Sequence, residues 1–303
     1  MIRVFVAILA LLAAAAGAAA WHFRSSDTRL TALPRTAASP VRVLLPRPQH
    51  VVVIIEENKE YSDIAGKLRA APYLNELIAR GALFVHSYGV AHPSQPNYLA
   101  LFAGITNENG DGCPPSQINA SAPNVATELT AAGLTFAGYS EGLPVAGFRG
   151  CRQGEYARKH VPWADFSNVP ASENLPFSAL PPYSKLPTVS FIIPDLLNDM
   201  HSASVSRGDT WLRQHAGPLI AWAMTHDTLV IITWDESDDA VDNHIPTIFV
   251  GPMVTPGRSA QPVTHYSVLR TIEQMYGLPY AGRSAQAAPI AGIWKEPRVT
   301  GGT

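Results

Sequence analysis

From residue 50 onward, apolar positions follow two alternating rhythms. HVVVIIEEN, beginning at His50, is an unbroken β-branched run, the pattern of a strand buried on both faces of a parallel sheet. PTVSFIIPD (187–195), TLVIITWDE (228–236) and PTIFVGP (246–252) repeat it, and shorter strands are expected at Leu83 to Tyr88 and Leu134 to Tyr139. Helical segments fall between them. Pro72 to Arg80 is amphipathic, Asn124 to Ala132 is stopped by Gly133, Asp209 to His226 carries a break at Gly217-Pro218, and His265 to Tyr276 is closed by Gly277. Strands and helices taking turns predict an α/β fold, a three-layer, doubly wound, mostly parallel sheet. Ligands in such a sheet bind beyond the carboxyl ends of the strands. Those ends carry Glu57-Asn58, Asp195 and Asp235-Glu236.

The rhythm fails in three places. Residues 1–20 are an apolar, Ala-rich run behind Arg3 that ends in small residues, which reads as a secretory signal peptide, with an uncleaved N-terminal anchor as the alternative. Residues 21–49 mix Arg, Thr, Ser and Pro without period and read as a linker. Ser140 to Lys185 is rich in Gly, Pro, Asn and aromatics, an ordered excursion over the active face. The expected catalytic domain is therefore 50–284, followed by a tail at 285–303.

A chain of 303 residues, 47% hydrophobic and with a net charge of -2, has no basic field for nucleic acid. Export gives its only two cysteines a meaning. In an oxidising compartment Cys113 and Cys151 form one disulfide, which on the chain-entropy model contributes roughly 3–4 kcal/mol. Zinc is a poor match for two thiols without close spacing.

The candidate chemistry centres on HPSQPNYLALFAG, His92 to Gly104, where Ser94 precedes a buried helix opened by Pro96. Ser94 reads either as a helix cap or as a nucleophile at a helix terminus that can receive an anion. Glu57, Asn58, Asp235 and Glu236 supply oxygens suited to Mg²⁺, Ca²⁺ or Mn²⁺ more than to Zn²⁺. Lys159-His160 and His201, the latter in PDLLNDMH with Asp195 and Asp199, are cations or imidazoles able to meet a phosphate. A competing motif is GYSEG (138–142), with Ser140, Asp235 and His265 in hydrolase order. Pro144 and the glycines after Ser140 oppose the helix that a nucleophile elbow requires.

Taken together, HVVVIIEEN, HPSQPNYLALFAG, GYSEG, YARKHVPW, NDMH with GDTWL, TWDESD, IPTIFVGP and THYSVLRTIEQMYGLP resemble the phosphoesterase family of secreted acid phosphatases and phospholipase C enzymes, within the alkaline-phosphatase-like superfamily. The resemblance implies that fold over roughly His50 to Leu278. It places the nucleophile on Ser94, one divalent metal on Glu57, Asn58, Ser94, Asp235 and Glu236, and phosphate contacts on Lys159, His160 and His201, with His160 or His201 protonating the leaving group. Asp195 and His244 depart from the family's pattern and are given no required role, while His265 matches its helix-leading His without an assigned function. The expected activity is that of an exported acid phosphatase acting on small phosphate monoesters through a phosphoserine. The other readings are a phospholipase C type phosphodiesterase, a carboxylesterase using Ser140, and a non-catalytic metal- or phosphate-binding protein.

Overall fold

The computed structural model describes residues 45–107, 110–238 and 242–296. The expected signal segment and most of the linker lie outside them. In chain order the elements are β1 (His50–Glu56), α1 (Tyr61–Ile64), α2 (Pro72–Arg80), β2 (Ala82–Phe84), β3 (Ser87–Tyr88), α3 (Gln95–Ala103), α4 (Val125–Ala131), β4 (Phe136–Ser140), β5 (Arg152–Gln153), β6 (Tyr156–Ala157), β7 (Asn174–Pro176), β8 (Val189–Ile193), α5 (Val205–Trp211), α6 (Gly217–Ala223), β9 (Thr228–Trp234), β10 (Thr247–Val250), β11 (Gly257–Ser259), β12 (Val263–Thr264) and α7 (His265–Tyr276).

Eight strands form one sheet in the order β11-β2-β10-β9-β1-β8-β4-β7. β1 lies inside it, parallel to both β8 and β9, and every one of its residues is buried. Alternation along β1 feeds two cores. Val51, Val53 and Ile55 pack with Leu99, Phe102, Leu129 and Leu269, while Val52 and Ile54 pack with Leu74, Leu77, Trp211 and Leu219. Helices therefore cover both faces, as the continuous apolar runs demand. Each fully buried Val or Ile contributes about 1.5–3 kcal/mol.

Three local outcomes differ from the sequence reading. β10 runs antiparallel to both β9 and β2, a direction that its apolar pattern does not encode. The Gly217-Pro218 pair does not break its helix. A π turn at Leu212–Ala216 joins α5 to α6, widening the backbone where Pro218 cannot donate. The expected tail is not one as far as Glu296, because Ile290 and Ile293 are buried and Lys295 N–H donates to Met253 O at 2.8 Å.

α3 is the most enclosed helix of the site, with all nine residues buried. Gly104 ends it in the left-handed region at φ 66°, and a Cβ there would fall 2.0 Å from the Ala281 carbonyl oxygen. Cys113 and Cys151 are joined, as expected, with Cα atoms 5.6 Å apart. No helix among the described residues is long and apolar enough to cross a membrane.

Candidate active site

Glu56 pairs with Trp234 in register, so the ends of β1 and β9 deliver Glu57-Asn58 and Asp235-Glu236 side by side. The two ends are also laced together. Asp235 N–H donates to Glu56 O at 3.1 Å, and Asn58 N–H donates to Asp235 Oδ1 at 3.2 Å. Asn58 adopts φ 44°, a left-handed turn that Asn tolerates. His265 donates from Nε2 to Trp234 O at 3.0 Å and so anchors the same strand end. Burial lowers its pKa to about 4, which keeps the ring neutral.

Ser94 occupies the N-cap position of α3, but its side chain caps nothing. The hydroxyl is instead 3.2 Å from Glu57 Oε2 and 3.0 Å from Glu236 Oε1. Its neighbours hold it there. Asn97 accepts from the N–H groups of Val90 and Ala91 and donates to Ala91 O, folding the preceding loop onto the helix. Gln95 N–H is capped from outside by Asp111 Oδ1 at 3.0 Å.

The buried carboxylates repel one another. Burial raises the pKa of Glu57, then Asp235 and Asp199 raise it further. Asp235 is pushed up to about 8 by burial and then by Glu236, and Glu236 is raised by burial. Such a group is stable ionised only against a cation. Asn58 Oδ1 and Asp235 Oδ2 are buried without hydrogen-bond partners, and these oxygens fit a hard cation. A second donor set shares Glu57. One ligand atom each from Glu57, His160 and His201 lie within 4.8 Å of one another, a mixed nitrogen and oxygen set. The mixed set accommodates a borderline metal.

His160 sits deeper than its expected phosphate contact requires. It is buried, with Nε2 3.1 Å from Glu57 Oε1 and Nδ1 3.5 Å from Asp199 Oδ2, and it stacks on Tyr98. Burial, then Lys159, drive its pKa well down. Both ring nitrogens lie beside carboxylates, and Nε2 is buried without a hydrogen-bond partner, which fits its place in the mixed donor set. His201 is half-buried, its backbone N–H donating to Asp199 Oδ1 at 2.8 Å and its ring Nδ1 lying 3.0 Å from Ser202 Oγ; its pKa is lowered by burial and then by Lys159. Lys159 Nζ contacts Asp111 Oδ2 at 2.5 Å. Burial alone would lower its pKa, but Asp111 outweighs this and raises it.

Three contributors escape a reading by motif. His92 Nδ1 hydrogen-bonds Glu236 Oε2, Tyr98 O–H donates to Glu57 Oε1 at 2.5 Å, and Asp111 links α3 to Lys159. His92 and Tyr98 lie inside the singled-out segment, so their place beside Ser94 was their only signal. The GYSEG motif has a different use. Ser140 ends β4 and is followed by a turn rather than a helix, and its proposed partner His265 is committed to Trp234 O. Glu141 accepts from Asp195 N–H at 3.0 Å, Asn198 Nδ2 at 3.0 Å and Trp211 Nε1 at 2.9 Å, pinning the loop that leads to Asp199 and His201. His244, stacked on Tyr61 and donating to Val85 O, is a packing residue.

A buried hydroxyl among acidic strand ends, on a doubly wound sheet, defines a phosphoesterase-like α/β enzyme. The model of the Phosphoesterase family matches residues 68–279, and the chain belongs to that family. A phosphatidylinositol-3-phosphatase of Mycobacterium tuberculosis is 48% identical over 255 residues, spanning 82% of this chain and 84% of that protein. An acid phosphatase of Aspergillus fumigatus is 30% identical over 252 residues, spanning 75% of this chain and 54% of the relative. Among solved structures, an alkaline phosphatase superfamily protein from Vibrio parahaemolyticus shares the fold at a TM-score of 0.57 and 13% identity, over 84% of this chain and 75% of that one.

Proposed function

We propose that the protein is an exported, metal-dependent acid phosphatase that hydrolyses phosphate monoesters through a phosphoserine at Ser94. The observation that carries this reading is the Ser94 hydroxyl, turned away from capping its helix and towards Glu57 and Glu236. Glu57, Asn58, Asp235, Glu236 and the Ser94 oxygen would hold a divalent cation, whose chemistry is to neutralise phosphoryl charge and lower the pKa of the hydroxyl. The remaining work falls to side chains. Ser94 Oγ attacks phosphorus while its proton passes to one of the carboxylates it already meets. Lys159 and His201 take the non-bridging oxygens, and His201 protonates the departing alkoxide. Water then opens the phosphoserine, releasing phosphate and restoring the hydroxyl. His160, enclosed by Glu57, Asp199 and Tyr98, is assigned to bracing those carboxylates rather than to substrate.

Acid activity follows from His201. Burial lowers its pKa, so the protonated ring needed for donation is populated at acid pH and lost as pH rises. The names of the mycobacterial and fungal relatives, a phosphatidylinositol-3-phosphatase and an acid phosphatase, support monoesters as the substrate class. Export is supported by the disulfide. The catalytic domain is taken as residues 50–296, enlarging the expected 50–284.

The test is phosphate release from an aryl phosphate, set beside cleavage of its diester and of a carboxylic ester, with and without chelator. Cleavage of the monoester, abolished by chelator, is expected. Preferential diester cleavage would replace this reading by a phospholipase C type activity, carboxylic ester cleavage by an esterase, and no cleavage by a binding protein.

A further inference from the structure

Asp111 lies outside every motif considered above, in a loop 16 residues beyond Gln95, yet its carboxylate spans two parts of the site. Oδ1 accepts from the N–H of Gln95, the residue after Ser94, at 3.0 Å, and Oδ2 meets Lys159 Nζ at 2.5 Å. The Lys159 and Asp111 side chains are 25% and 26% exposed and meet at the solvent-facing rim of the site, so the pair is only partly withdrawn from the screening that weakens surface ion pairs. The described residues beside Asp111 are tied to Gln95 in turn. Gln95 Nε2 donates to Gly112 O at 2.9 Å, Gly112 N–H donates back to Gln95 Oε1 at 3.0 Å, and Asn107 Nδ2 donates to the same Oε1 at 3.0 Å. Two residues after Asp111, Cys113 is bonded to Cys151, and Cys151 O accepts from Arg158 N–H at 3.0 Å, immediately before Lys159.

Ser94 and Lys159 come from distant parts of the chain and share no direct bond among those described. Asp111 supplies the missing connection. We propose that Asp111 is a positioning residue, which fixes the Lys159 ammonium relative to the α3 N-terminus that carries Ser94, by holding the Gln95 N–H with Oδ1 and the ammonium with Oδ2. It touches neither phosphorus nor the leaving group. A long lysine side chain loses several rotamers when it is held in one place, and a partner that holds it before substrate arrives removes that cost from binding. The effect should therefore appear in substrate affinity. The inference rests on the assignment of Lys159 to phosphate.

The test is a double-mutant cycle of Asp111→Asn and Lys159→Met in the full chain with its cation, reading KM and kcat for an aryl phosphate, Ki for inorganic phosphate, and the thermal midpoint. Asparagine keeps an acceptor for Gln95 N–H and removes the charge that holds Lys159. Asp111→Asn is expected to raise KM and Ki at least about fivefold with kcat within about twofold, and to leave both constants within about twofold once Lys159 is Met. Asp111→Glu should recover much of the affinity, because it restores the charge; Asp111→Ser, which also removes the charge, provides the measurement if the asparagine variant folds poorly. A cap-only role would lower the thermal midpoint and change activity equally in both backgrounds, which overturns the proposal. A fall in KM or Ki also overturns it, since Asp111 would then be an internal anion competing with phosphate. If Lys159→Met leaves KM and Ki unchanged, the phosphate assignment of Lys159 fails and this proposal with it. If Lys159→Met raises them but the charge-removing Asp111→Asn and Asp111→Ser do not, only the positioning role fails.

Discussion

The hydroxyl of Ser94 lies 3.0 Å from Oε1 of Glu236, a residue 142 positions further along the chain. The α3 N-terminus brings the first and the end of β9 the second, so this contact joins the helix to the strand end. A serine serving only as a helix cap would turn towards its own backbone.

Tyr98 is expected to tune this arrangement. Its O–H donates to Glu57 while its ring stacks on His160, and Tyr98→Phe removes the first interaction and keeps the second. Hydrogen bonds to charged groups contribute about 1.5–3 kcal/mol, so kcat/KM on an aryl phosphate should fall by roughly tenfold to a hundredfold. An unchanged value would remove Tyr98 from the site.

Asp235 is expected to act with opposite signs in the presence and absence of cation. Burial and Glu236 push its pKa up to about 8, so its charge is a liability until a cation is bound. Asp235→Asn should raise the thermal midpoint of chelated protein and abolish the stabilisation that Mg²⁺, Ca²⁺ or Mn²⁺ gives the parent. Thermal scans with and without chelator read both effects. A parent midpoint indifferent to all three cations would argue against the site.

Glu141 and Ser140 separate scaffold from chemistry. Glu141→Gln places an amide donor among three donors, and about 1–3 kcal/mol of stability should be lost, read by urea unfolding. Ser140→Ala should leave kcat/KM within about twofold. A large loss in Ser140→Ala would revive the esterase arrangement.

Glu128 on α4 predicts a pH dependence of stability. Burial, then Glu273, raise its pKa from 4.5 to about 8. A carboxyl raised on folding binds more protons in the folded state, so its contribution is present below the unfolded pKa and declines as pH climbs from about 4.5 to 8. Glu128→Gln should therefore gain about 1 kcal/mol, roughly 2–4 °C, over the parent at pH near 9 and little near pH 4, after allowing for solvent screening. Calorimetry at the two pH values checks it, and equal shifts at both would contradict the ionisation argument.

The architecture was legible because apolar runs at β1, β8 and β9 admit only strands buried on two faces, and because α7 carries its own closing glycine. The direction of β10 was not, since four apolar residues pack equally well either way. Gly217-Pro218 misled because a π turn just before the pair accommodates the donor that Pro218 lacks, so the helix continues through the expected break. At the site, Glu57, Asn58, Asp235 and Glu236 could be named from strand ends alone. His92, Tyr98 and Asp111 could not. Their partners are 144, 41 and 48 residues away, and no local pattern encodes which distant carboxylate or amine a folded chain will bring to them. The phosphate contact of His160 is given by the family resemblance, and its burial against Glu57, Asp199 and Tyr98 is not encoded in any local pattern.

The central claim is that Ser94 carries the phosphoryl group during turnover. Acid-quenching the enzyme during hydrolysis of an aryl phosphate, followed by peptide mass spectrometry, should find phosphate on the peptide containing Ser94 and none there in Ser94→Ala, which should also lose turnover. Undiminished turnover in Ser94→Ala, or phosphate on a different residue of the parent enzyme, would contradict it.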